Sequence, residues 1–203
     1  MSDSIYNPEF QNSDLSHKIV FALDKISEYF KNSLREKGKE HKLSPIQIQI
    51  LLFIDNHLEK YMTVNYISDE FNVTKATISD SIKALEKKSL VKKVKNKKDS
   101  RSFTLKLDTE GKNIISSINS FPKELTKMVS PLPIQSQQIL WKELYNIINS
   151  LQIIGEINVQ RMCNNCAYFT FKDGQSYCNF LDKKLETNNL RLDCSEHKAI
   201  EIL

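Results

Sequence analysis

The stretch from Met62 to Leu107 constrains the fold more than any other part of this 203-residue chain. Thr63 and Thr74 each precede a short run with apolar residues three and four positions apart, and the turn 72–74 separates the two runs. Because threonine is a favoured helix N-cap, this pattern predicts two short helices joined by a tight turn. Alternating apolar and polar residues over 90–94 and 102–107 then predict a two-stranded hairpin. Elements in this order predict a winged helix-turn-helix.

The same stretch concentrates positive charge. Between Thr74 and Lys106 there are ten lysines and one arginine against three acidic residues, a net charge of +8, whereas the whole chain carries only +4. The remainder of the sequence therefore sums to −4. A cationic face of this kind is typical of proteins that bind a polyanion. We predict double-stranded DNA as the partner.

The second helix and the hairpin tip contain the candidate contacts. Ile78, Ile82 and Leu85 are expected to face the core, which leaves short polar and basic side chains facing outward. Such side chains can reach base edges or phosphates from a helix in the major groove, and a basic tip can follow the minor groove. A lysine run alone also fits a solvated face, but the preceding helices favour DNA. The predicted DNA-binding residues are Thr74, Lys75, Thr77, Ser79, Asp80, Lys83, Lys95, Lys97, Lys98, Asp99 and Arg101.

The flanking segments predict a mainly α fold with a small β wing. Residues 1–13 are expected to form a flexible N-terminus, residues 14–159 a winged-helix and dimerisation domain, and residues 160–203 a cysteine-rich module. Helical periodicity predicts a helix of about twenty residues from Asp14, whose end is marked by Gly38 and the charged segment 37–42. It also predicts helices over 44–54, from 108 to about 129, and over 134–159.

The first and last long helices carry more apolar residues than a single small domain needs. This excess predicts a helical homodimer interface, although plain core packing explains it equally well for the first helix. A symmetric dimer would place two recognition helices about one DNA turn apart. No apolar run reaches the roughly 20 residues that cross a bilayer, and the N-terminus lacks the features of a secretion signal. The sequence therefore predicts a cytoplasmic protein without a membrane partner.

The order of these elements resembles the MarR family of winged-helix transcription regulators. The similar residues run from Leu43 to Gly111: LSPIQIQIL, then TVNYISDEFNVTKATISDSIKALEKKSLVKK, then Asp99-x-Arg101 followed by LKLDTEGK. Two positions differ from the usual pattern, because Ser89 replaces the glycine common before the wing and Asp108 precedes Thr109 where an apolar residue is usual. The resemblance implies a homodimer on a pseudo-palindromic operator, usually a repressor. It also implies a small-molecule effector whose binding is coupled to the spacing of the two recognition helices.

All four cysteines lie after position 160. Cys163-x2-Cys166 is followed by Cys178 after eleven residues and by Cys194 after fifteen more, with His197 three positions later. Thiolates so placed can converge on one ion or cluster, and a short segment poor in aliphatic residues needs such a centre to fold. The predicted ligands are the four cysteines, with His197 as an alternative.

The spacing leaves the metal open. Zinc is a common use of four intracellular cysteines, but zinc ribbons generally offer two C-x2-C pairs, and here only Cys194-x2-His197 could serve as the second. The spacing and aromatic neighbours are similar to the cluster-binding half of high-potential iron–sulfur proteins. This similarity implies a [4Fe-4S] cluster, which we favour over Zn²⁺.

Three functions remain open at this point. We favour a DNA-binding regulator, not an enzyme, whose module senses redox state, iron or oxidants; in a variant of this hypothesis the module is a purely structural zinc site. A thiol oxidoreductase that uses Cys163 and Cys166 is the enzymatic alternative, but the pair follows a long helix instead of the strand-then-helix context of thioredoxin-like sites. A winged helix that binds a protein partner is the third.

Overall fold

A computed structural model describes residues 3–95, 103–118 and 122–200. These residues form a mainly helical domain followed by a small module that contains strands. The helices are α1 (Pro8–Ser13), α2 (Leu15–His41), α3 (Pro45–Asn56), α4 (Val64–Glu70), α5 (Lys75–Lys87), α6 (Thr109–Ile118), α7 (Lys123–Val129) and α8 (Ile134–Ile153). The strands are β1 (Val91–Lys95), β2 (Phe103–Leu107), β3 (Phe169–Lys172), β4 (Gln175–Cys178) and β5 (Lys183–Lys184). Short 3₁₀ turns lie at Glu59–Tyr61, Cys163–Asn165 and Thr187–Asn189.

The N-terminal segment is more ordered than the sequence suggests. The predicted flexible N-terminus contains α1, because the side chain of Asn7 accepts a hydrogen bond from the Glu9 amide at 3.0 Å and Pro8 occupies the first helical position. The rings of Tyr6 and Phe21 then meet edge to face, with their centroids 6.2 Å apart. This contact places α1 against α2.

Helix α2 continues past the glycine that was expected to end it. Gly38 lies inside the helix, where an added Cβ would come within 2.3 Å of the Leu43 carbonyl oxygen. The helix ends instead at His41, and Lys42 takes the left-handed conformation as its C-cap. The end therefore falls within the charged segment 37–42 that was expected to mark it, but at 27 residues the helix is longer than the predicted length of about twenty. The glycine allows the following chain to approach closely.

Two later helices also differ from their predicted bounds. The helix expected from 108 to about 129 is two helices, α6 and α7, and α7 has Pro122 as its N-cap. Proline lacks the amide proton that a continuous helix would need at that position. Helix α8 ends at Ile153, short of the predicted Val159, because Gly155 adopts a φ of +80°.

The core of the helical domain lies between α3, α4, α5, α6 and the hairpin. Ser44 and Gln47 form the predicted capping box of α3, and Thr63 and Thr74 cap α4 and α5 as predicted. The buried residues of these elements include Ile48, Ile50, Leu51, Phe53, Ile67, Ile78, Ile82, Leu85, Leu105, Ile115 and Ile118. Helix α5 is thus held against the core by Ile78, Ile82 and Leu85, the residues expected to face it.

Strands β1 and β2 form the predicted antiparallel wing, with Val91 opposite Leu107 and Lys95 opposite Phe103. Ser89 adopts a φ of +57°, the left-handed conformation that favours glycine. The departure from the family pattern at this position therefore leaves the turn intact. The Leu105 amide also donates to the Met62 carbonyl oxygen at 3.1 Å, which holds the wing to the segment before α4.

The C-terminal module contains a three-stranded antiparallel sheet in the order β3-β4-β5. It packs on one side of α8, where Trp141 Nε1 donates to the Thr187 carbonyl oxygen at 2.9 Å. The buried Tyr145 hydroxyl donates to Asn164 Oδ1 at 2.8 Å. None of the helices in residues 3–95, 103–118 and 122–200 is long and apolar enough to cross a membrane.

Candidate functional site: a nucleic-acid interface and a cysteine pocket

Helix α5 presents the outward face that the sequence predicts. Its buried side consists of Ile78, Ser81, Ile82 and Leu85. The predicted contacts on the other side are exposed, except Ser79, which is half-buried; they are Thr74, Lys75, Thr77, Asp80 and Lys83. The orientation of this face is confirmed, and its contact with DNA stays a prediction.

Local hydrogen bonds position the polar side chains of this face. The Thr74 hydroxyl accepts a hydrogen bond from the Thr77 amide at 3.2 Å, and the two threonine hydroxyls lie 2.9 Å apart. Lys83 Nζ lies 3.0 Å from Asp80 Oδ1, one helical turn away. An exposed pair of this kind contributes little to stability, so Lys83 can turn to a phosphate at small energetic cost.

Carboxylates partly neutralise the base of the wing. Three of its lysines form ion pairs: Lys93 with Glu86 at 2.7 Å, Lys106 with Glu59 at 3.0 Å, and Lys92 with Asp108 at 3.6 Å. Glu86 is already counted in the net charge of +8, but Glu59 and Asp108 lie outside that stretch and lower the charge available to a partner further. Lys95 is exposed at the end of β1. The remaining predicted tip contacts, Lys97, Lys98, Asp99 and Arg101, lie outside the described residues.

The structure brings the four cysteines together. Cys163, Cys166, Cys178 and Cys194 all line one pocket with a cavity volume of about 20 Å³. The rest of its wall is mainly aromatic and aliphatic, with Tyr168, Phe169, Phe180, Leu181 and Leu185 among its residues. Across 3–95, 103–118 and 122–200, no group of three or more His, Cys, Asp or Glu side chains is arranged to hold a metal ion. The thiols thus surround a shared space instead of converging on one point.

Backbone and side-chain donors reach two of these sulfurs. The Arg191 amide donates to Cys163 Sγ at 3.2 Å, and the Arg191 guanidinium lies 3.6 Å from Cys194 Sγ. Burial raises the pKa of the Cys163 thiol, and the other three thiols raise it further. The hydrogen bond from the Arg191 amide acts in the opposite direction, because it favours the Cys163 thiolate. A cation bound in the pocket would lower the pKa of the thiols further by stabilising their thiolates.

His197, the alternative ligand, has another partner. Its imidazole is buried, and Nε2 lies 2.9 Å from Asn165 Oδ1 and 3.1 Å from the Asn165 carbonyl oxygen. Burial lowers the pKa of His197, which favours the neutral ring. Ligation through Nε2 would require this contact with Asn165 to break.

Arg161 has the most buried charged side chain of the described residues, and no sequence pattern predicts this. The side chain of Arg161 is only 2% exposed. Its guanidinium donates to both oxygens of Glu70 on α4, at 3.1 and 3.0 Å, and to both oxygens of Asp193, at 2.6 and 3.1 Å. It also donates to the Tyr66 hydroxyl at 2.7 Å. A lone arginine before a cysteine pair has no spacing or pattern that would indicate these partners.

The groups around Arg161 keep its guanidinium protonated. Burial alone would lower the pKa of Arg161, but the hydrogen bonds from Arg161 to Asp193 and the charge of Glu70 raise it. The imidazole of His57, at the end of α3, lies 2.8 Å from Asp193 and lowers the pKa of that carboxyl together with Arg161. The module is thereby joined to α4 by ionised groups and to the end of α3 by the contact between Asp193 and His57.

Apolar side chains remain exposed on the two long helices. On α8 the exposed residues include Ile139, Leu140, Ile147 and Ile153, and on α2 they include Leu15, Ile19, Val20 and Ile26. The excess of apolar surface predicted for these helices is confirmed. Helix α8 thus has one face on the module and another that is uncovered in the single chain.

Part of the chain matches a known protein family, and two known proteins are similar to it in sequence. Residues 41–102 match the sequence model of the MarR family. The HTH-type transcriptional regulator SarZ of Staphylococcus haemolyticus is 25% identical over 142 residues, which cover 70% of this chain and 90% of that protein. The HTH-type transcriptional regulator BilQ of Clostridioides difficile is 28% identical over 106 residues, which cover 52% of this chain and 70% of that protein.

Solved structures show the same fold. The S. aureus MepR–DNA complex has a TM-score of 0.58 and 22% identity, covering 65% of this chain and 97% of that one. S. aureus MepR in its DNA-binding conformation also gives a TM-score of 0.58 at 22% identity, covering 66% and 98%. These structures share the fold of this chain, which is mainly helical with a small β wing.

Proposed function

We propose that this chain, whose residues 41–102 match the MarR family, is a homodimeric transcriptional regulator that binds a pseudo-palindromic duplex operator and acts as a repressor. The observation that carries the proposal is the outward polar face of α5 beside a lysine-rich wing. The side chains of this face are short enough to reach base edges, and the wing lysines can contact the phosphates on either side. The DNA complex of MepR, which shares the fold, supports the same partner.

A binding titration tests this function. A duplex selected from a randomised library by the purified protein would be titrated at several salt concentrations. We expect a specific complex whose logarithmic affinity falls with the logarithm of salt by about 0.9 for each phosphate contacted. If the protein binds every duplex weakly and with the same affinity whatever its sequence, the proposal is overturned and a protein partner is favoured instead.

The uncovered face of α8 supports the homodimer. Ile147 is 41% exposed on the side opposite Tyr145, which is buried against the module. We expect light scattering to give twice the monomer mass of 23.6 kDa. Ile147→Glu should yield the monomer, because a charged side chain cannot be buried unpaired in an apolar interface. Asn146→Glu adds the same charge at the neighbouring exposed polar position and is the matched control.

The cysteine pocket is proposed to hold a [4Fe-4S] cluster, with Zn²⁺ as the alternative. The donor types suit such a group, since four thiols line one mostly apolar pocket and Cys163 accepts a backbone hydrogen bond from Arg191. The sulfurs would have to move closer together to bind it. When bound, a cluster would supply a centre that responds to oxidants and to iron supply. Zinc would need the four sulfurs within about 3.8 Å of one another, as tetrahedral Zn–S bonds of about 2.3 Å dictate. The similarity of the cysteine spacing to that of high-potential iron–sulfur proteins supports the cluster.

Protein purified without oxygen decides between the two metals. We expect a brown solution that contains iron and acid-labile sulfide in equal amounts. A colourless protein with one zinc per chain would overturn the cluster and support the structural zinc site. An unusually acidic thiol in metal-free protein would instead favour the thiol oxidoreductase. Comparing operator affinity with and without the bound group then shows whether the module senses a signal or only stabilises the fold.

A further inference from the structure

We propose that Arg161 is a positioning residue that couples the occupancy of the cysteine pocket to helix α4 of the helix-turn-helix. The proposal rests on the proposed function and names the path by which the module regulates DNA binding. Arg161 is the only residue, within the described ranges, whose side chain forms ion pairs with both α4 and the module. Its two carboxylate partners bind adjacent edges of one guanidinium: Asp193 accepts from Nε and Nη2, and Glu70 accepts from Nη1 and Nη2.

The module side of this contact lies next to two of the pocket thiols. Arg161 is two residues before Cys163, and Asp193 directly precedes Cys194. The Cys194 amide donates to the Arg161 carbonyl oxygen at 3.1 Å, and the Cys163 amide donates to the Arg191 carbonyl oxygen at 2.9 Å. A change in the position of either thiol therefore moves the backbone that holds Arg161 or Asp193.

The DNA side of the contact lies at the end of α4. Glu70 is the last residue of that helix, two positions before the left-handed Asn72 in the turn that leads to α5. Displacement of Glu70 would consequently tilt α4 and the start of α5, where Thr74 and Lys75 lie. Small shifts at such a junction change how a recognition helix fits the major groove.

Burial makes the contact sensitive to either partner. Arg161 lies 5.2 to 5.6 Å from the ring centroids of Phe53, Tyr61 and Tyr66, so its charge is enclosed by aromatic faces. A buried guanidinium that loses one carboxylate is left with an uncompensated charge, which is strongly unfavourable. The contact therefore has two states, formed or broken, instead of a gradual response.

The other anchor of the module does not pass through Arg161. Trp141 and Tyr145 of α8 hold the module by hydrogen bonds to Thr187 and Asn164. A change at the pocket can thus shift α4 relative to α8 while the module stays attached to α8. The spacing of two recognition helices in a dimer depends on this relative position.

Amide hydrogen exchange over residues 64–70 tests the coupling directly. The wild-type protein, reconstituted without oxygen with ferrous iron and sulfide, would be compared with the chelator-stripped protein and with Cys178→Ser. Cys178 is a pocket thiol fifteen residues from Asp193, so its loss disturbs the pocket without changing the ion pair itself. We expect exchange in α4 to be about tenfold faster in both the stripped and the substituted protein. Equal exchange in all three would overturn the proposal.

Glu70→Gln tests the path itself. This variant should keep its full content of iron and sulfide, yet its α4 should exchange as fast as in the stripped wild type, and stripping should change that rate less than twofold. Asp69→Asn, an exposed neutralisation on the same helix, is the matched control and should behave as the wild type. If Glu70→Gln retains the full response to stripping, the coupling does not pass through Arg161. Circular dichroism confirms that each variant is folded before exchange is measured.

Duplex affinity separates this inference from the proposed function. Stripping should change the affinity of the wild type by about tenfold and that of Glu70→Gln by less than twofold. If no form binds a duplex, the proposed function fails, while the exchange of α4 still shows whether the coupling exists. If the protein carries zinc, the same comparisons are made with zinc and its chelator. A chain that takes up neither group would overturn the proposal.

Discussion

Arg161 and Glu70, 91 residues apart in the sequence, form a two-pronged ion pair with N–O distances of 3.1 and 3.0 Å. The planar guanidinium matches the two carboxylate oxygens of Glu70, a geometry that lysine cannot provide. Because Arg161 is 2% exposed and Glu70 is 21% exposed, the pair is largely removed from water. It therefore fixes where the module sits on α4.

Arg161→Met should destabilise the protein by about 3 kcal/mol, since it leaves Glu70 and Asp193 without their shared partner. Methionine keeps the aliphatic part of the side chain and removes the guanidinium, so the loss reports charge and hydrogen bonds more than packing. Urea unfolding measures the change. Lys60→Met, an exposed lysine that lies 4.8 Å from the ring of Tyr61, is the control and should stay within about 0.5 kcal/mol of the wild type. If Arg161→Met also changes the free energy of unfolding by no more than about 0.5 kcal/mol, the ion pairs of Arg161 with Glu70 and Asp193 do not stabilise the fold.

We expect ionisation of Tyr66 to lower the stability of the protein at high pH. Burial raises the pKa of its hydroxyl from 10.0 to about 12, although the hydrogen bond from Arg161 opposes this effect. The folded protein thus favours the neutral hydroxyl, whose contribution to stability is full below pH 10 and is lost as the pH rises towards 12. The stability difference between the wild type and Tyr66→Phe should follow that course in unfolding experiments. A difference independent of pH over this range would show that Tyr66 does not titrate differently in the two states.

The helical domain was predictable because its signals are local. Ser44, Thr63 and Thr74 cap helices at the predicted positions, and the two wing strands occupy the predicted segments. Capping and periodicity involve residues a few positions apart, so a single sequence contains them. The outward face of α5 followed from the same periodicity.

The elements that the sequence did not predict depend on distant contacts. Gly38 was expected to end a helix, but the carbonyl oxygen of Leu43 packs against it and no periodicity shows this approach. The partners of Arg161 come from α4 and from the end of the chain, so sequence spacing does not relate them. Spacing did indicate that the four cysteines share one pocket, but the identity of the bound group depends on distances that sequence does not encode.

Substitution of Gly111 tests how closely α6 packs against the start of the wing. An added Cβ at this position would lie 2.1 Å from the carbonyl oxygen of Leu90, a backbone atom that cannot move aside easily. Helix propensity alone would make Gly111→Ala stabilising by about 1 kcal/mol. We expect instead a destabilisation of about 3 kcal/mol in urea unfolding, because the clash dominates. Asn113→Ala, exposed on the same helix, should be nearly neutral, and stabilisation by Gly111→Ala would contradict the observed packing.

Ser89 predicts a gain in stability. Its φ of +57° is unfavourable for a residue with a Cβ, and its amide donates to the Glu86 carbonyl oxygen at 2.8 Å at the end of α5. Ser89→Gly should therefore stabilise the protein by about 1 kcal/mol, seen as a higher midpoint in thermal unfolding. Ser89→Ala keeps the Cβ and should bring no such gain. If both variants behave alike, the backbone conformation at Ser89 is not the cause.

Lys75 predicts a loss of DNA affinity that does not depend on sequence. It is exposed in the first turn of α5, beside the cap residue Thr74, where a lysine can reach a phosphate. Lys75→Ala should weaken binding to specific and nonspecific duplexes by a similar factor and reduce the salt slope by about 1. Lys127→Ala, on α7 and paired with Glu124 at 2.7 Å, removes the same charge away from this face. It should leave both quantities unchanged, whereas an equal effect of the two substitutions would indicate a response to net charge alone. A loss restricted to the selected duplex would instead identify Lys75 as a base contact.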